Sequence, residues 1–193
     1  MRRTTAGLLA LAIFLISSSA WAIDGYKDRH GVFYGGGLGG GPGSVSVADE
    51  PYESGMDGTG ALGLATHLVV GGGASDNLVF GAELNNWIRT VNVYDNRLNH
   101  QQWSANAIGN FFVVHGFFVE AGVGLAYAYS DASTQEGDTR RYQEMGLAGK
   151  LGVGFEYFLN GTMAAGFGLN YTRHFYENLD FDTVTGAVRL RWY

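Results

Sequence analysis

The segment that decides the fold is the last one, Asp182–Tyr193, which reads DTVTGAVRLRWY. Successive side chains of a β-strand point to opposite faces, so this segment has one apolar face and one face with two arginines. The apolar face is Val184, Gly186, Val188, Leu190 and Trp192, and the other is Thr185, Ala187, Arg189, Arg191 and Tyr193. In a membrane barrel the apolar face contacts lipid and the arginines point into the lumen. In a soluble sandwich the arginines would face bulk water.

The first 22 residues have the organisation of a secretory signal. Arg2 and Arg3 are followed by an apolar run, 6–16, that only Gly7 interrupts, and then by the small-residue cleavage motif Ala20-Trp21-Ala22. The apolar run is too short to cross a bilayer as a helix. We therefore expect residues 1–22 to be cleaved and residues 23–193 to form a single exported domain.

The composition fits a barrel and argues against several other classes of protein. The 193 residues include 31 Gly, 12 Phe, 11 Tyr and 4 Trp, with 2 Pro and no Cys. Glycine at this level would suggest disorder if aromatic residues were scarce, but here it alternates with Val, Leu and Phe. The absence of cysteine excludes disulfides and thiol chemistry. A formal charge of −6 gives no support to nucleic-acid binding.

Eight segments alternate apolar and small or polar residues with a period of two. They are 31–41, 60–72, 78–91, 102–113, 117–129, 144–157, 163–174 and 182–193. Long polar connections, 41–59, 92–100, 130–141 and 176–182, alternate with short ones, 74–77, 114–116 and 160–161. Transmembrane barrels have this asymmetry between long outer loops and short periplasmic turns. The pattern predicts a closed, eight-stranded, antiparallel up-and-down transmembrane β-barrel.

Aromatic residues lie near both ends of the predicted strands. Those toward the long loops are Trp103, Tyr127, Tyr129 and Tyr171, and those toward the short turns are Phe111, Phe117, Phe155, Tyr157 and Trp192. Two belts of amphipathic rings at the water interfaces are typical of membrane barrels. Aromatic cross-strand pairs in a soluble sheet are the alternative.

With these residues placed, the sequence resembles the small outer-membrane barrel superfamily of Gram-negative bacteria, the OmpA-type barrel domains and the OmpX/Ail/opacity-protein group. In that group the last strand ends in an assembly signal: polar, any, glycine, two of any, apolar, any, aromatic. Thr185, Ala187, Leu190 and Trp192 fit this spacing, although Ala187 replaces the glycine and Tyr193 lies one residue beyond. The resemblance implies an outer-membrane location with lipid and lipopolysaccharide as surroundings. It also implies the barrel assembly machinery and periplasmic chaperones as partners during biogenesis.

Charged residues on the inward faces form the candidate functional constellation. The carboxylates are Glu83, Glu120, Glu144 and Glu156, and the cations are Arg89, Lys150, Arg189 and Arg191. Buried charges are tolerated when they are paired, and eight strands enclose a lumen that side chains can fill. We therefore predict a lumenal ion-pair network that acts as a plug. A gate in a narrow channel for ions or small solutes is the alternative.

Enzyme, metal and cofactor motifs give no positive signal. Lipid A deacylases of this architecture carry a His-x-Ser motif, but here His174 is followed by Phe175 and Tyr176, so the nucleophile is missing. The glycines at 35–40 satisfy G-x-G-x-x-G without a following helix, and His67 has no histidine at metal-ligand spacing. We predict no enzyme activity and no cofactor.

The loops are the remaining place for function. Asp49, Glu50, Glu53 and Asp57 in the first loop, with Glu177, Asp180 and Asp182 in the last, are acidic. A solvated, charged rim is the favoured explanation, and binding of divalent cations or of an extracellular partner is the alternative. The expected role is structural or adhesive, through surface loops. A soluble lipocalin-like binder, with the apolar faces turned inward, is a third interpretation.

Overall fold

The computed structural model describes residues 29–47, 50–51, 62–93, 96–114, 116–133, 139–177 and 179–193. The predicted signal peptide, residues 1–22, and Asp49, Glu53 and Asp57 of the first loop lie outside these described residues, whereas the backbone of Glu50 belongs to β2. The strands are β1 Gly31–Val47, β2 Glu50–Pro51, β3 Leu62–Ser75, β4 Leu78–Val93, β5 Asn96–Val114, β6 Phe117–Ser133, β7 Thr139–Phe158, β8 Met163–Phe175 and β9 Asp180–Trp192. Within the described ranges, no helix is long and apolar enough to cross a membrane.

Eight of these strands close into an antiparallel barrel, as the sequence predicts. Each of β1 and β3–β9 pairs with its neighbour in the chain, and β9 pairs back onto β1. The closing ladder runs from Tyr34 opposite Trp192 to Ser46 opposite Asp180. The two-residue strand β2 pairs antiparallel with the last two residues of β1. Closure leaves no sheet edge along the barrel wall, which a membrane barrel requires.

The apolar faces point outward, and this excludes the soluble binder with an inward apolar face. Val32, Leu68, Val123 and Leu151 are 63–73% exposed on the outer wall. Inward neighbours such as Phe33, with 0% exposure, are buried. In water so large an exposed apolar surface would be unstable, whereas in a bilayer acyl chains cover it.

The short connections lie together at one end of the barrel, here called the lower end. They are the turn at 76–77, the residue Gly116 and the segment 159–162. Gly116 has a φ of 92°, a conformation that favours glycine. The prediction that tight turns follow every second strand is therefore confirmed, although the two-residue turn predicted at 160–161 is a four-residue connection, 159–162.

The upper strand ends reach further than the sequence indicated. The predicted polar loops 92–100 and 130–141 are mostly strand, since β4 continues to Val93, β5 begins at Asn96, β6 continues to Ser133 and β7 begins at Thr139. The alternation of apolar residues ends where the lipid ends, but backbone pairing does not depend on an apolar face. Polar sequence was therefore misinterpreted as loop, and the strands project beyond the apolar belt.

Candidate functional site

Glu120 lies at the centre of an ion-pair cluster in the middle of the lumen. Its Oε1 is 2.8 Å from Lys150 Nζ, and its Oε2 is 2.8 Å from Arg189 Nη1. Lys150 also pairs with Glu83 from the opposite wall. Asn110 donates a hydrogen bond of 2.9 Å to Glu120 Oε2. Every charged member is buried, so the charges are compensated by one another rather than by bulk water.

A second group surrounds Glu156 at the lower end of the lumen. Arg191 Nη1 lies 3.4 Å from Glu156 Oε2 and also 3.8 Å, through Nη2, from Glu120, so Arg191 joins the two groups. The Tyr193 hydroxyl donates to Glu156 Oε1 at 2.8 Å. Arg29, which precedes β1, pairs with the same oxygen at 3.3 Å, and its guanidinium lies 3.7 Å from the centre of the Phe112 ring. Sequence reasoning missed Arg29 because it lies outside the alternating segments.

The structure brings together six of the eight charged residues that the sequence analysis identified. It places the other two nearer the loop end of the barrel. The six are Glu83, Glu120, Lys150, Glu156, Arg189 and Arg191. Glu144 instead accepts a hydrogen bond of 2.8 Å from the backbone N–H of Glu177. The guanidinium of Arg89 lies 5.7 Å from the centre of the Trp87 ring. Both residues lie further along their strands toward the loops, as counting residues from the short turns predicts for Arg89.

An apolar layer closes the lumen around and below the ion pairs. It consists of Phe33, Val69, Val79, Ile108, Phe112 and Phe118, with Tyr193 packed against it. The Phe118 ring centre lies 5.4 Å from the guanidinium of Arg189 and 5.7 Å from that of Arg191. The aromatic faces thus contact the cations of the network directly.

An aromatic layer closes the upper end. Trp87, Tyr176 and Phe181 are buried there together with three small alanines of the wall. Trp87 and Phe181 have ring centres 5.2 Å apart, and Trp87 Nε1 donates to the Gly41 carbonyl at 3.1 Å. Tyr176 and Phe181 fall in or beside the predicted last loop, so the sequence did not identify them as lumenal. Every second residue of β9 points into the lumen, and continuing this alternation backward to residue 181 would have identified Phe181 as lumenal.

Only a small space remains between these layers. A polar cavity of about 30 Å³ is lined by His67, Asn85, Ser104, Lys150, Asn170 and His174, among others. A volume of that size corresponds to about one water molecule. His67 and His174, both buried, point inward as the strand phase predicted. Over the residues that the structure describes, side chains therefore fill most of the lumen.

One contact in the upper lumen has the geometry of a serine–histidine pair. His100 Nδ1 is 2.5 Å from Ser130 Oγ, and His100 Nε2 is 2.8 Å from Gln102 Nε2. The Tyr176 hydroxyl donates to Gln102 Oε1, which directs the amide N–H groups of Gln102 toward His100. His100 must therefore carry its proton on Nδ1 and donate it to Ser130, the wrong direction for a general base.

The electrostatics of this upper group agree with that assignment. His100 lies opposite Ser130, the residue after Tyr129, and Tyr176 follows the last residue of β8, so both lie at the loop end of the barrel. Burial, assisted by the charge of Arg89, lowers the pKa of His100 to about 4, so the ring is neutral at physiological pH. Burial, together with the charge of Glu144, raises the pKa of Tyr176 and keeps its hydroxyl a donor. The group is a structural relay of hydrogen bonds.

We expect Trp87→Phe to lower the free energy of unfolding by about 1–3 kcal/mol, because it leaves the buried Gly41 carbonyl without its donor. Trp103→Phe is the matched control. Its indole donates at 3.3 Å to Gln101 on the outer wall, where Trp103 is 37% exposed. Urea unfolding of the refolded barrel, followed by the folded-to-unfolded band shift on gels, measures both. Equal losses would show that the Trp87 hydrogen bond contributes nothing specific.

The acidic residues of the last loop are engaged on the outer wall of β8 and β9. Arg173 Nη2 lies 2.5 Å from Asp180, and the Tyr171 hydroxyl donates to Asp182 at 2.6 Å. Over the residues that the structure describes, no group of three His, Cys, Asp or Glu side chains could hold a metal ion.

The residues of the predicted assembly signal all lie on β9 or directly after it. Leu190 is 40% exposed on the outer wall, and the Trp192 ring stacks on Tyr34 with centres 5.7 Å apart. Ala187 is buried opposite Gly39 and Gly168, and it borders the lumenal cavity. Thr185 borders the lumenal cavity. Recognition of this strand by an assembly machinery remains a prediction.

Comparisons with known proteins agree with this geometry. Residues 8–191 match the sequence model of the outer membrane protein β-barrel domain. Ail of Yersinia pestis, solved with the heparin analogue sucrose octasulfate, superposes with a TM-score of 0.61 at 12% identity, over 83% of this chain and 99% of that one.

Two further solved barrels are similar. Neisserial surface protein A has a TM-score of 0.53 at 15% identity, over 83% of this chain and 98% of that one. OprG of Pseudomonas aeruginosa has a TM-score of 0.50 at 16% identity, over 88% and 98%. No curated protein sequence matches this chain significantly. At these identities the solved structures establish the shared fold and nothing more.

Proposed function

The chain belongs to the outer membrane protein β-barrel domain family, and from that premise we propose that it is a sealed barrel that acts at the cell surface. Its location is the Gram-negative outer membrane. The proposed role is non-enzymatic: the barrel anchors its upper strand ends and loops, which support envelope integrity or adhesion. Surrounding lipid, lipopolysaccharide and an extracellular macromolecule are the proposed partners.

The filled lumen is the observation that carries this proposal. The ion pairs around Glu120 and Glu156 lie between an apolar layer that includes Phe118 and an aromatic layer that includes Trp87. The remaining cavity of about 30 Å³ is smaller than any pathway for a hydrated ion. If no pathway for ions or solutes crosses the barrel, its function must reside at its outer surface or at its upper end.

The projecting strands give the upper end a surface that a partner could use. β7 pairs with β6 from Thr139 onward, but its pairing with β8 begins only at Leu147. In the described chain, the first residues of β7 therefore have no strand on their second side. Tyr142 and Met145 are 40% and 71% exposed along this edge. Open edges of this kind can accept an extended segment of another protein.

A narrow channel is the second candidate function, and one observation favours it. The charged side chains form a continuous series from Glu83 through Glu120 to Glu156, directly below the polar cavity. Rearrangement of such pairs could open a path for ions. The series would then be a gate rather than a plug.

Single-channel conductance of the refolded mature barrel in a planar bilayer separates the two functions. We expect no stable current from the wild-type barrel, nor from Glu83→Gln and Arg189→Gln variants that fold. Glu177→Gln, an exposed rim substitution, is the matched control. Stable current steps whose size changes with Glu83→Gln or Arg189→Gln, but not with the control, would establish a gated channel and refute the sealed barrel.

A further inference from the structure

One side chain that does not belong to the barrel wall fills a pocket at the lower end of the lumen. Arg29 precedes β1 and is 8% exposed. Its guanidinium lies 3.7 Å from the centre of the Phe112 ring and 5.1 Å from that of Phe158. Its Nε donates to Glu156 Oε1 at 3.3 Å, and its Nη1 donates to the Asp76 carbonyl at 3.3 Å. Two aromatic rings, a carboxylate and a carbonyl thus form what we call the guanidinium pocket.

The geometry of this pocket suits a guanidinium better than an ammonium. A guanidinium is planar and weakly hydrated, so it stacks on an aromatic face while separate N–H groups reach separate acceptors. Arg29 makes this arrangement with the Phe112 face, the Glu156 carboxylate and a backbone carbonyl. An ammonium is a compact, strongly hydrated charge that would lose its water against the aromatic ring. The pocket therefore selects arginine-like groups over amines.

The charge of Arg29 is not needed to balance its surroundings. In the part of the chain that the structure describes, the lower group contains one buried carboxylate, Glu156, and two guanidiniums, those of Arg29 and Arg191. If Arg29 leaves, Glu156 keeps Arg191 Nη1 at 3.4 Å and the Tyr193 hydroxyl at 2.8 Å. Breaking a buried ion pair is costly when it leaves a charge without a partner. Withdrawal of Arg29 leaves no such charge.

The backbone around Arg29 can move without disturbing the barrel wall. Residues 29–30, here called the strap, lie outside the strands, and pairing of β1 with β3 begins at Gly31 opposite Gly73. Gly31 has a φ of 90°, so the chain bends there at a residue that tolerates such a conformation. The His30 side chain, 55% exposed, lies 3.2 Å from Asp76, a surface contact that water can replace. The strap is therefore joined to the barrel through a glycine hinge.

We propose that Arg29 is an exchangeable internal ligand of the guanidinium pocket, and that an arginine in an extended segment of a periplasmic protein replaces it when the strap swings out. The pocket lies at the end with the short turns, which faces the periplasm in transmembrane barrels. One guanidinium leaves and another enters, so the charge balance at Glu156 is the same in both states. The inference goes beyond the proposed role at the cell surface, because it gives the barrel a binding site at its opposite end.

Chemical rescue of Arg29→Ala tests the selectivity of the pocket. The probe is the blocked peptide acetyl-Ala-Arg-Ala-amide, called the arginine peptide, and the matched peptides carry citrulline or lysine instead. We expect the urea midpoint of the refolded Arg29→Ala barrel to fall, and about 10 mM arginine peptide to restore about half of the loss or more. The neutral citrulline peptide and the lysine peptide should restore little. Arg141→Ala, at an exposed position of β7, is the matched variant and should not respond to any peptide.

Displacement of Arg29 itself is measured on the barrel that retains it. The chain has no cysteine, so His30→Cys provides a single thiol for a nitroxide label on the strap. We expect the electron paramagnetic resonance spectrum to gain a mobile component as the arginine peptide is added, and to stay unchanged with the citrulline peptide. A label at Glu177→Cys, at the opposite end of the barrel, controls for nonspecific effects of the peptide.

Three results would overturn the proposal. Equal rescue by the arginine and citrulline peptides would show that the pocket does not require a charge, and equal rescue by the lysine peptide would show that it does not select a guanidinium. An unchanged label spectrum at peptide concentrations that rescue Arg29→Ala would show that Arg29 is a permanent part of the plug. If Arg29→Ala does not give the folded gel band, Arg29→Ser replaces it in the rescue experiment.

Discussion

Glu120→Gln is expected to lower the free energy of unfolding by about 3–5 kcal/mol. The substitution keeps the shape of the side chain but removes the charge that Lys150 and Arg189 both contact at 2.8 Å. Arg189 then lies buried with 3% of its surface exposed and without its carboxylate partner. Burial of an uncompensated charge costs far more than the loss of one hydrogen bond.

Glu177→Gln makes the same chemical change at an exposed position and is expected to alter stability by less than about 0.5 kcal/mol. Equilibrium unfolding in urea, with refolding followed from the opposite direction, gives both values in the same lipid or detergent. A loss below about 1 kcal/mol for Glu120→Gln would show that water or neighbouring groups compensate Arg189 and Lys150. If water is the compensating group, the lumen is hydrated and the channel alternative gains support.

The fold followed from the sequence because one physical rule acts along the whole barrel wall. Lipid outside and a packed lumen inside impose an alternation of period two, which strands such as Phe117–Ser133 display clearly. The same rule assigns Glu83, Glu120 and Lys150 to the lumen. The short turns, where Gly116 and Asn160-Gly161 are recognisable, supply the order of the strands.

The site was less predictable because it depends on the position of each residue along the barrel axis and on residues outside the alternating strand segments. Strand tilt brings Lys150 level with Glu83 and Glu120, although counting residues from the turns places it above them. Arg29 enters the lumen from a segment without any strand pattern. Phe181 lies in a polar stretch that resembles a loop. Such residues are fixed by tertiary packing, for which a local pattern has no signal.

Phe118→Ala is the second substitution with a large expected effect, a loss of about 3–5 kcal/mol in the free energy of unfolding. Phe118 is 1% exposed, and its ring lies over Gly154, where a Cβ would come within 2.4 Å of it. The ring also packs against Phe112 at 5.4 Å and contacts the guanidinium of Arg189. Its removal leaves a cavity that the rigid barrel wall cannot close.

Phe167→Ala deletes the same ring from the outer wall, where Phe167 is 54% exposed. Acyl chains fill the space that it leaves, so only the transfer of the ring from water to lipid is lost, about 1.5 kcal/mol. Urea unfolding in lipid vesicles measures the difference between the two variants. A larger loss for Phe118→Ala means that the lumen is packed like a protein core, as a sealed barrel requires. Equal losses would mean that the Phe118 site, like the outer wall, is open to a solvent that replaces the ring.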